Sequence, residues 1–259
     1  MYSKVDIYRD VSKIPINKSG TLLIHSSMKS IGEVRGRADT ILDIFIELMK
    51  DGLLVFPTHT WDSYNNKNDT YNPLTEPSCV GILSNLFMKR EGVVRSLHPT
   101  HSVAAIGRDS EDFIDGEEYS NTPCPRNGCW GKLYDRRAQI LFIGVDLTKN
   151  TLIHGVEEWN GIPNRLTGKE YRIKIVKKNN EEIFSYIKRH WNEYGDVSSN
   201  YGKLLKPFMY KNICREFKIG DAKCYLCEAK EMGDLTSEFL KKEKDLFIGN
   251  TPVPEEWYR

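Results

Sequence analysis

The chain has 259 residues, with 37 Lys and Arg against 36 Asp and Glu and a formal net charge of +1. This length permits a sizeable core, and the balanced charge provides no field that would attract nucleic acid. The sequence has no apolar run of about 18 residues and no leader-like N-terminus, so we expect a cytoplasmic protein without membrane spans.

Six cysteines are few for this length, and in a reducing compartment they need not pair. Cys224 and Cys227 have the CxxC spacing, but they lie in a segment that reads as a strand. No second pair at metal-ligand spacing and no helix start accompanies them. We therefore expect packing rather than metal or redox chemistry.

The first predicted strand, residues 21–24, is followed by small hydroxyls and glycines and then by a predicted amphipathic helix, residues 38–50. This order lets backbone N–H groups approach phosphate or other polar oxygens. The segment fits neither the Walker pattern nor GxGxxG, so turn chemistry is the alternative. Arg37, at the helix start, either adds charge to an anion site or faces water.

A second predicted strand, residues 53–56, ends in Pro57-Thr58-His59-Thr60-Trp61. Hydroxyl, imidazole and indole groups at the carboxyl end of a strand are typical of a ligand site. Residues 62–78 are polar, contain two prolines and show no periodicity. Such long loops are uncommon unless functional, and we interpret this one as a lid or acceptor-recognition loop.

A third apolar stretch, residues 80–87, predicts a helix, and residues 103–106 predict a strand preceded by His98 and His101. The two histidines are spaced as metal ligands could be, but zinc sites need three or four ligands and no matching cluster lies nearby. We therefore predict no metal. The acidic residues 109–119 predict a solvated helix, and a negatively charged rim for a cationic ligand is the alternative.

The best candidate for acid–base chemistry lies within residues 139–166. An apolar strand, residues 140–145, precedes a turn in which Asn150 or Thr151 can cap a helix. From that start, His154 shares a helical face with Glu157 and Glu158. A carboxylate bonded to one ring nitrogen makes the other a better proton acceptor. The alternative is a solvated histidine with an ordinary ion pair.

Beyond residue 166 the pattern predicts strands at 171–176 and 223–228 and helices at 181–194 and 235–244. We find no linker or repeat, so we expect one domain over residues 1–259. Residues 1–166 would form its cofactor and catalytic portion, and residues 167–259 would only pack.

Four segments in register resemble the aminoglycoside 3-N-acetyltransferase family of antibiotic N-acetyltransferases. They are His25-Ser26-Ser27 with Gly32 and Gly36, then Phe56-Pro57-Thr58, then Arg95-Ser96-Leu97-His98-Pro99 with Ser102, and finally Gly144-Val145 through Asn150-Thr151 to His154 and Glu157. The resemblance implies an α/β fold, a single-domain three-layer sandwich with a mixed central sheet flanked by helices.

The resemblance also implies an acyltransferase that moves acetyl directly from acetyl-CoA to an amine, without a covalent enzyme intermediate. The acceptor would be an amino sugar, above all the 3-amino group of a 2-deoxystreptamine aminoglycoside, as in antibiotic resistance. His154 would be the general base and Glu157, or alternatively Glu158, would orient it. No metal, nucleic acid or membrane would take part, and a homodimer is compatible with this function.

The remaining site residues implied by the resemblance fall into three groups. Thr58 would donate to the oxyanion, alongside a backbone N–H near Ser26 to Met28. The CoA-binding group is Ser26, Ser27, Met28, Gly32, Gly36, Arg37, Arg95 and Ser102. The acceptor-binding group is Trp61, Tyr64 and Glu158.

Two departures are visible. Family members often have Gly-Gly-Ala where this chain has Gly36-Arg37-Ala38, and residues 62–78 and Trp159-Asn160 indicate no particular antibiotic. Three alternatives follow from the same residues. One is transfer to a non-antibiotic sugar amine in a biosynthetic pathway. The others are a CoA-binding protein without turnover and a cysteine or histidine hydrolase.

Overall fold

The computed structural model describes residues 1–64 and 69–259. The strands within these residues are β1 (Thr21–Ser26), β2 (Leu53–Pro57), β3 (Thr70–Tyr71), β4 (Val94–Arg95), β5 (Val103–Gly107), β6 (Gln139–Ile143), β7 (Tyr171–Val176), β8 (Glu182–Ile187), β9 (Cys214–Ile219) and β10 (Ala222–Glu228). The helices are α1 (Lys4–Val11), α2 (Arg37–Leu48), α3 (Ile82–Phe87), α4 (Ser110–Ile114), α5 (Cys129–Asp135), α6 (Thr151–Trp159), α7 (Leu205–Tyr210) and α8 (Ala229–Lys242).

Seven strands form the central sheet in the order β4-β5-β2-β1-β6-β10-β9. Strand β1 is parallel to both β2 and β6, whereas β5 and β10 run antiparallel to their neighbours. The three parallel strands are nearly continuous apolar runs, as expected of strands covered on both faces. The predicted mixed central sheet is therefore confirmed.

Helices cover both faces of this sheet. On one face, Ile41 and Phe45 of α2 pack in a core that also includes Ile7 of α1. On the other face, Trp130 of α5 and Val156 of α6 share a core with residues of α8. Each buried side chain of this size contributes about 1.5–3 kcal/mol, so the two apolar layers hold the helices against the sheet. The three-layer sandwich is confirmed.

A second, three-stranded sheet has the order β3-β7-β8. Its strand β8 occupies the segment in which the sequence predicted a helix, residues 181–194, and that prediction is wrong. Exposed Phe184 and Tyr186 alternate along the strand with buried Ser185 and Ile187, which is the two-residue period of a strand. The apolar residues of this segment are also spaced as in a helix. Hydrogen bonding to β7 favours the strand.

Cys227, which the sequence indicated as a packing residue, forms a disulfide with Cys214. The register of the antiparallel pair β9 and β10 places these two residues directly opposite each other. Cys224, the other cysteine of the CxxC spacing, is free and buried.

No helix among the described residues is long and apolar enough to cross a bilayer.

Candidate active site

A cavity of about 900 Å³ opens where β1, β2 and β6 end. Parallel strands present their carboxyl ends at one edge of a sheet, and the loops that follow them form the walls. Ser26 ends β1, Pro57 ends β2, and Val145 follows β6; all three line the cavity. The remaining wall comes from α6 and from the segment that follows β8.

His154 lies in the first half of α6, whose N-cap Asn150 accepts a hydrogen bond from the N–H of Leu152, as the sequence predicted. The neighbouring Ile153 and Val156 are buried in the core and thereby fix the rotation of the helix. The His154 side chain is 17% exposed and lines the cavity. Local capping and packing therefore direct this imidazole into the site.

A tyrosine connects His154 to its carboxylate. The Tyr201 hydroxyl lies 2.7 Å from Nδ1 of His154 and donates to Glu157, whereas Nδ1 and Glu157 Oε2 are 3.9 Å apart. A phenol has one proton to donate. Because Glu157 receives that proton, Nδ1–H of His154 must donate to the phenol oxygen, which leaves Nε2 as the proton acceptor.

The two glutamates have different partners. Glu157 is buried in an ion pair with Arg165, and its pKa is raised by burial although Arg165 opposes that shift. Glu158 points away from His154; its Oε1 is 2.9 Å from Nε2 of His190 and accepts from the N–H of Cys124 at 3.0 Å. Burial raises the pKa of Glu158 to about 7. Glu158 therefore holds His190, and its assignment as the group that orients His154 is corrected.

Neighbouring imidazoles line the cavity. Ring centroids are 4.7 Å apart for His59 and His101, 4.8 Å for His101 and His190, and 4.1 Å for His190 and His154. Burial lowers the pKa of His190 and of His25 to about 3. Burial, followed by His190, also lowers the pKa of His154 well below its ordinary value. His154 is therefore neutral at pH 7 and can accept a proton.

Several residues predicted from the sequence do line the cavity. Ser26, Ser27 and Met28 form one wall, and Trp61 stands at half exposure on another. The structure adds Lys29 beside this loop and Lys149 just before α6. Both lysines are exposed, so the site has positive charge where the sequence analysis had assigned arginines.

Thr58, Arg95 and Ser102 do not line the cavity. Ser102 donates to the Thr58 carbonyl at 2.7 Å, and Arg95 Nε donates to Thr58 Oγ1 at 3.1 Å. Thr58 and Ser102 are fully buried. These three side chains hold the end of β2 to the start of β5, and the structure does not bring them into the cavity in which they were predicted to bind the oxyanion and CoA.

Gly32, Gly36 and Arg37 also lie away from the cavity lining. A Cβ on Gly32 would lie 2.3 Å from Asp221 Oδ2, so this glycine permits a close contact between loops. Gly36 has φ 79° and caps α2, after which Arg37 is exposed. The structure therefore does not bring these three predicted CoA-binding residues to the cavity, and the two glycines serve a close contact and a chain reversal.

Tyr64, predicted to bind the acceptor, is 4% exposed, and the structure does not bring it to the cavity lining. The predicted lid, residues 62–78, includes residues 65–68, which lie outside the described residues. Within the described part of this loop, Tyr71 packs in the core of the small sheet.

Tyr201 and His190 were missed by sequence reasoning because they lie 44 residues from Glu157 and 32 residues from Glu158, respectively. Both belong to the part of the chain, residues 167–259, that we expected only to pack. Arg189, Asn192 and Asp196 from the same part also line the cavity, so residues 167–259 contribute side chains to the site as well as to the core.

Comparison with known proteins places this geometry in context. Residues 23–241 match the family model described as aminoglycoside 3-N-acetyltransferase. A relative from Bacillus subtilis (strain 168), the SPbeta prophage-derived aminoglycoside N(3')-acetyltransferase-like protein YokD, is 25% identical over 92% of each chain.

Solved structures share the fold. The structure described as AAC-IIIb binary with CoASH has a TM-score of 0.80 at 16% identity and covers 97% of this chain and 99% of its own. The structure described as AAC-VIa bound to Sisomicin has a TM-score of 0.77 at 17% identity, over 93% and 98% of the two chains.

Proposed function

The chain belongs to the aminoglycoside 3-N-acetyltransferase family of acyltransferases, and from this premise we propose that it transfers acetyl from acetyl-CoA to an amine of an amino sugar. The observation that supports the proposal best is the chain of hydrogen bonds from His154 through Tyr201 to Glu157 at the cavity wall. The 3-amino group of a 2-deoxystreptamine aminoglycoside is the acceptor that the family name indicates.

In the proposed reaction the amine nitrogen attacks the thioester carbonyl, its proton passes to Nε2 of His154, and the C–S bond breaks. The proton then passes from His154 to the departing sulfur, so that the products are an amide and free CoA. A protonated amine cannot attack, which is why a neutral base is required. Tyr201 and the Glu157 carboxylate stabilise the imidazolium that forms between these steps.

The loop after β1 is suited to the thioester. Met28 begins a 3-10 turn, Met28–Ile31, and the first N–H groups of such a turn have no partner within it. These donors fit the oxyanion of the tetrahedral intermediate better than the buried Thr58 hydroxyl does. Lys29 and Lys149 would bind CoA phosphates. The AAC-IIIb structure described with CoASH, which has the same fold, supports CoA as the donor.

We expect the double variant Lys29→Ala/Lys149→Ala to raise KM for acetyl-CoA about 3–10-fold with little change in kcat, because exposed charge pairs each contribute about 0.2–1 kcal/mol. The difference from the unmodified protein should shrink as salt is added. The control is Lys241→Ala, an exposed lysine on α8. An unchanged KM would remove the lysines from the CoA site.

The proposal as a whole is tested by release of free thiol from acetyl-CoA in the presence of amino sugars and aminoglycosides. We expect thiol release that depends on the amine. Binding of CoA in calorimetry without release with any amine would indicate a binding protein without turnover.

A cysteine hydrolase is disfavoured by the same structure, because burial raises the pKa values of Cys124 and Cys129 well above the ordinary value. A reactive cysteine needs a lowered pKa. Cys79, the free cysteine that lines the cavity, has its pKa raised by burial to about 12, so Cys79→Ser should keep thiol release from acetyl-CoA.

A further inference from the structure

We infer that the acceptor amine belongs to a molecule that also carries an anionic group, a phosphate or a carboxylate, and that Arg189 binds this group. The inference rests on the proposed function and narrows its acceptor to anionic amino sugars rather than polycationic aminoglycosides.

The charges around the cavity are the first support. Among the described residues that line it, Asp196 is the one carboxylate, whereas the cations are Lys29, Lys149, Arg165 and Arg189. The Arg165 charge is balanced by its buried ion pair with Glu157. Lys29 and Lys149 are the residues assigned above to the CoA phosphates. Arg189 is the cation left for the acceptor.

The surroundings of Arg189 leave its charge unbalanced. Its Nη2 donates to the carbonyl of Tyr64 at 3.0 Å, and its guanidinium lies 4.2 Å from the centre of the Tyr171 ring. Within residues 1–64 and 69–259, no carboxylate forms an ion pair with it, and its buried Nε has no hydrogen-bond partner. Residues 65–68 contain no acidic side chain.

A guanidinium held in this way is prepared for an anion. Its position is already set by the Tyr64 carbonyl and the Tyr171 ring, so little freedom is lost when an anion binds. Arginine forms paired, charge-assisted hydrogen bonds with phosphate and carboxylate groups. A partly buried charge without a counter-ion is costly, and a bound anion would remove that cost.

Arg189 lines the same cavity as His154, the proposed base. It directly precedes His190, whose ring stacks on His154 at 4.1 Å. Asp196 lies farther along the same wall, and its carboxylate acts on both imidazoles by raising their pKa values. Because Arg189, Asp196 and His154 line the same cavity, we expect one acceptor to present its amine to His154 and its anionic group to Arg189.

The same arrangement disfavours a polycation. Such a molecule would bring several ammonium groups into a cavity where the described lining supplies one carboxylate. The remaining ammonium groups would face neutral imidazoles and an unbalanced arginine. Desolvated charges without partners and like charges in proximity both oppose binding.

The first experiment uses the unmodified protein and measures kcat/KM by thiol release from acetyl-CoA. The acceptors are glucosamine, glucosamine 6-phosphate, muramic acid and gentamicin. We expect at least one of the two anionic sugars to exceed glucosamine by about 10-fold or more, as a charge-assisted hydrogen bond provides. Gentamicin should fall below glucosamine. The phosphate and carboxylate arms show which anion the site prefers.

The second experiment compares Arg189→Gln and Arg189→Lys. In Arg189→Gln the ratio of kcat/KM for the preferred anionic sugar to that for glucosamine should fall towards one, and Arg189→Lys should retain part of it. The matched control is Arg215→Gln, at the far edge of the central sheet, which should keep the full ratio. If Arg189→Gln does not fold, the inference is decided by the unmodified protein, from its kcat/KM for the anionic sugars relative to glucosamine.

The outcomes separate the inference from the proposed function. Thiol release that is fastest with gentamicin, or equal for glucosamine and both anionic sugars, overturns the inference and leaves acetyl transfer standing. The absence of thiol release with every amine overturns both.

Discussion

Replacement of His154 with alanine is expected to lower kcat by about 10²–10⁴-fold, the range typical of a lost general base. Nε2 of this imidazole has no partner among the described residues and faces the cavity. Alanine removes the acceptor of the amine proton without touching the loop after β1. The dissociation constant of acetyl-CoA, measured by calorimetry, should therefore change little.

Tyr201→Phe is the matched comparison, since it keeps the base and removes only the hydroxyl between His154 and Glu157. We expect kcat to fall by about 10-fold, because one hydrogen bond to the base contributes about 1.5 kcal/mol. The effect should therefore be smaller than that of His154→Ala. Full activity of His154→Ala would mean that another group accepts the proton, and His190 would be the first candidate.

Acidification is expected to destabilise the fold unusually early. Burial lowers the pKa values of five histidines, namely His25, His59, His101, His154 and His190. Below about pH 6.5 each of them takes up a proton when unfolded but not when folded. Stability is therefore fully present above that pH and is lost as the pH falls. Between pH 6.5 and 5.5 the loss is about 1 kcal/mol for each histidine.

Glu158 acts in the opposite direction. Its pKa of about 7 in the folded state means that the folded protein takes up a proton there first, which returns about 1 kcal/mol over the same interval. The net loss of unfolding free energy from these six groups should be about 3–4 kcal/mol, and the raised pKa of Glu157 opposes the loss further. Urea titrations at the two pH values can measure it. His59→Asn removes one titrating group and should reduce the slope by about one proton. An unfolding free energy that stays constant from pH 7 to 5.5 would contradict neutral, buried imidazoles.

Most of the elements that build the site were predictable because their signals are local. All three signals fall within the 19 residues from Gln139 to Glu157. They are the apolar run of β6, the capping Asn150 and the helical spacing of His154 and Glu157. Hydrophobic periodicity and capping act at that range. The serine loop after β1 was recognised in the same way, from a strand followed by small hydroxyls.

Predictions from the sequence failed where a segment fits two secondary structures, or where the partner of a side chain is distant in the sequence. The segment containing β8 has apolar residues compatible with either period, and only its pairing with β7 settles the matter. Thr58, Arg95 and Ser102 have the polarity of ligand-binding residues, but they use that polarity on one another. Sequence does not reveal whether a polar side chain faces a ligand or a neighbour.

From the sequence, local patterns identified His154 on a capped helix after an apolar strand, and the family resemblance implied the three-layer sandwich. The folded chain was needed to show that Tyr201 joins His154 to Glu157 and that Glu158 turns to His190. It also showed that Arg189 reaches the cavity with no carboxylate partner in residues 1–64 and 69–259. These contacts could not be predicted because the residues involved are far apart in the sequence. Such contacts form between segments more than thirty residues apart, where burial and hydrogen-bond geometry choose the partners and no local pattern records the choice.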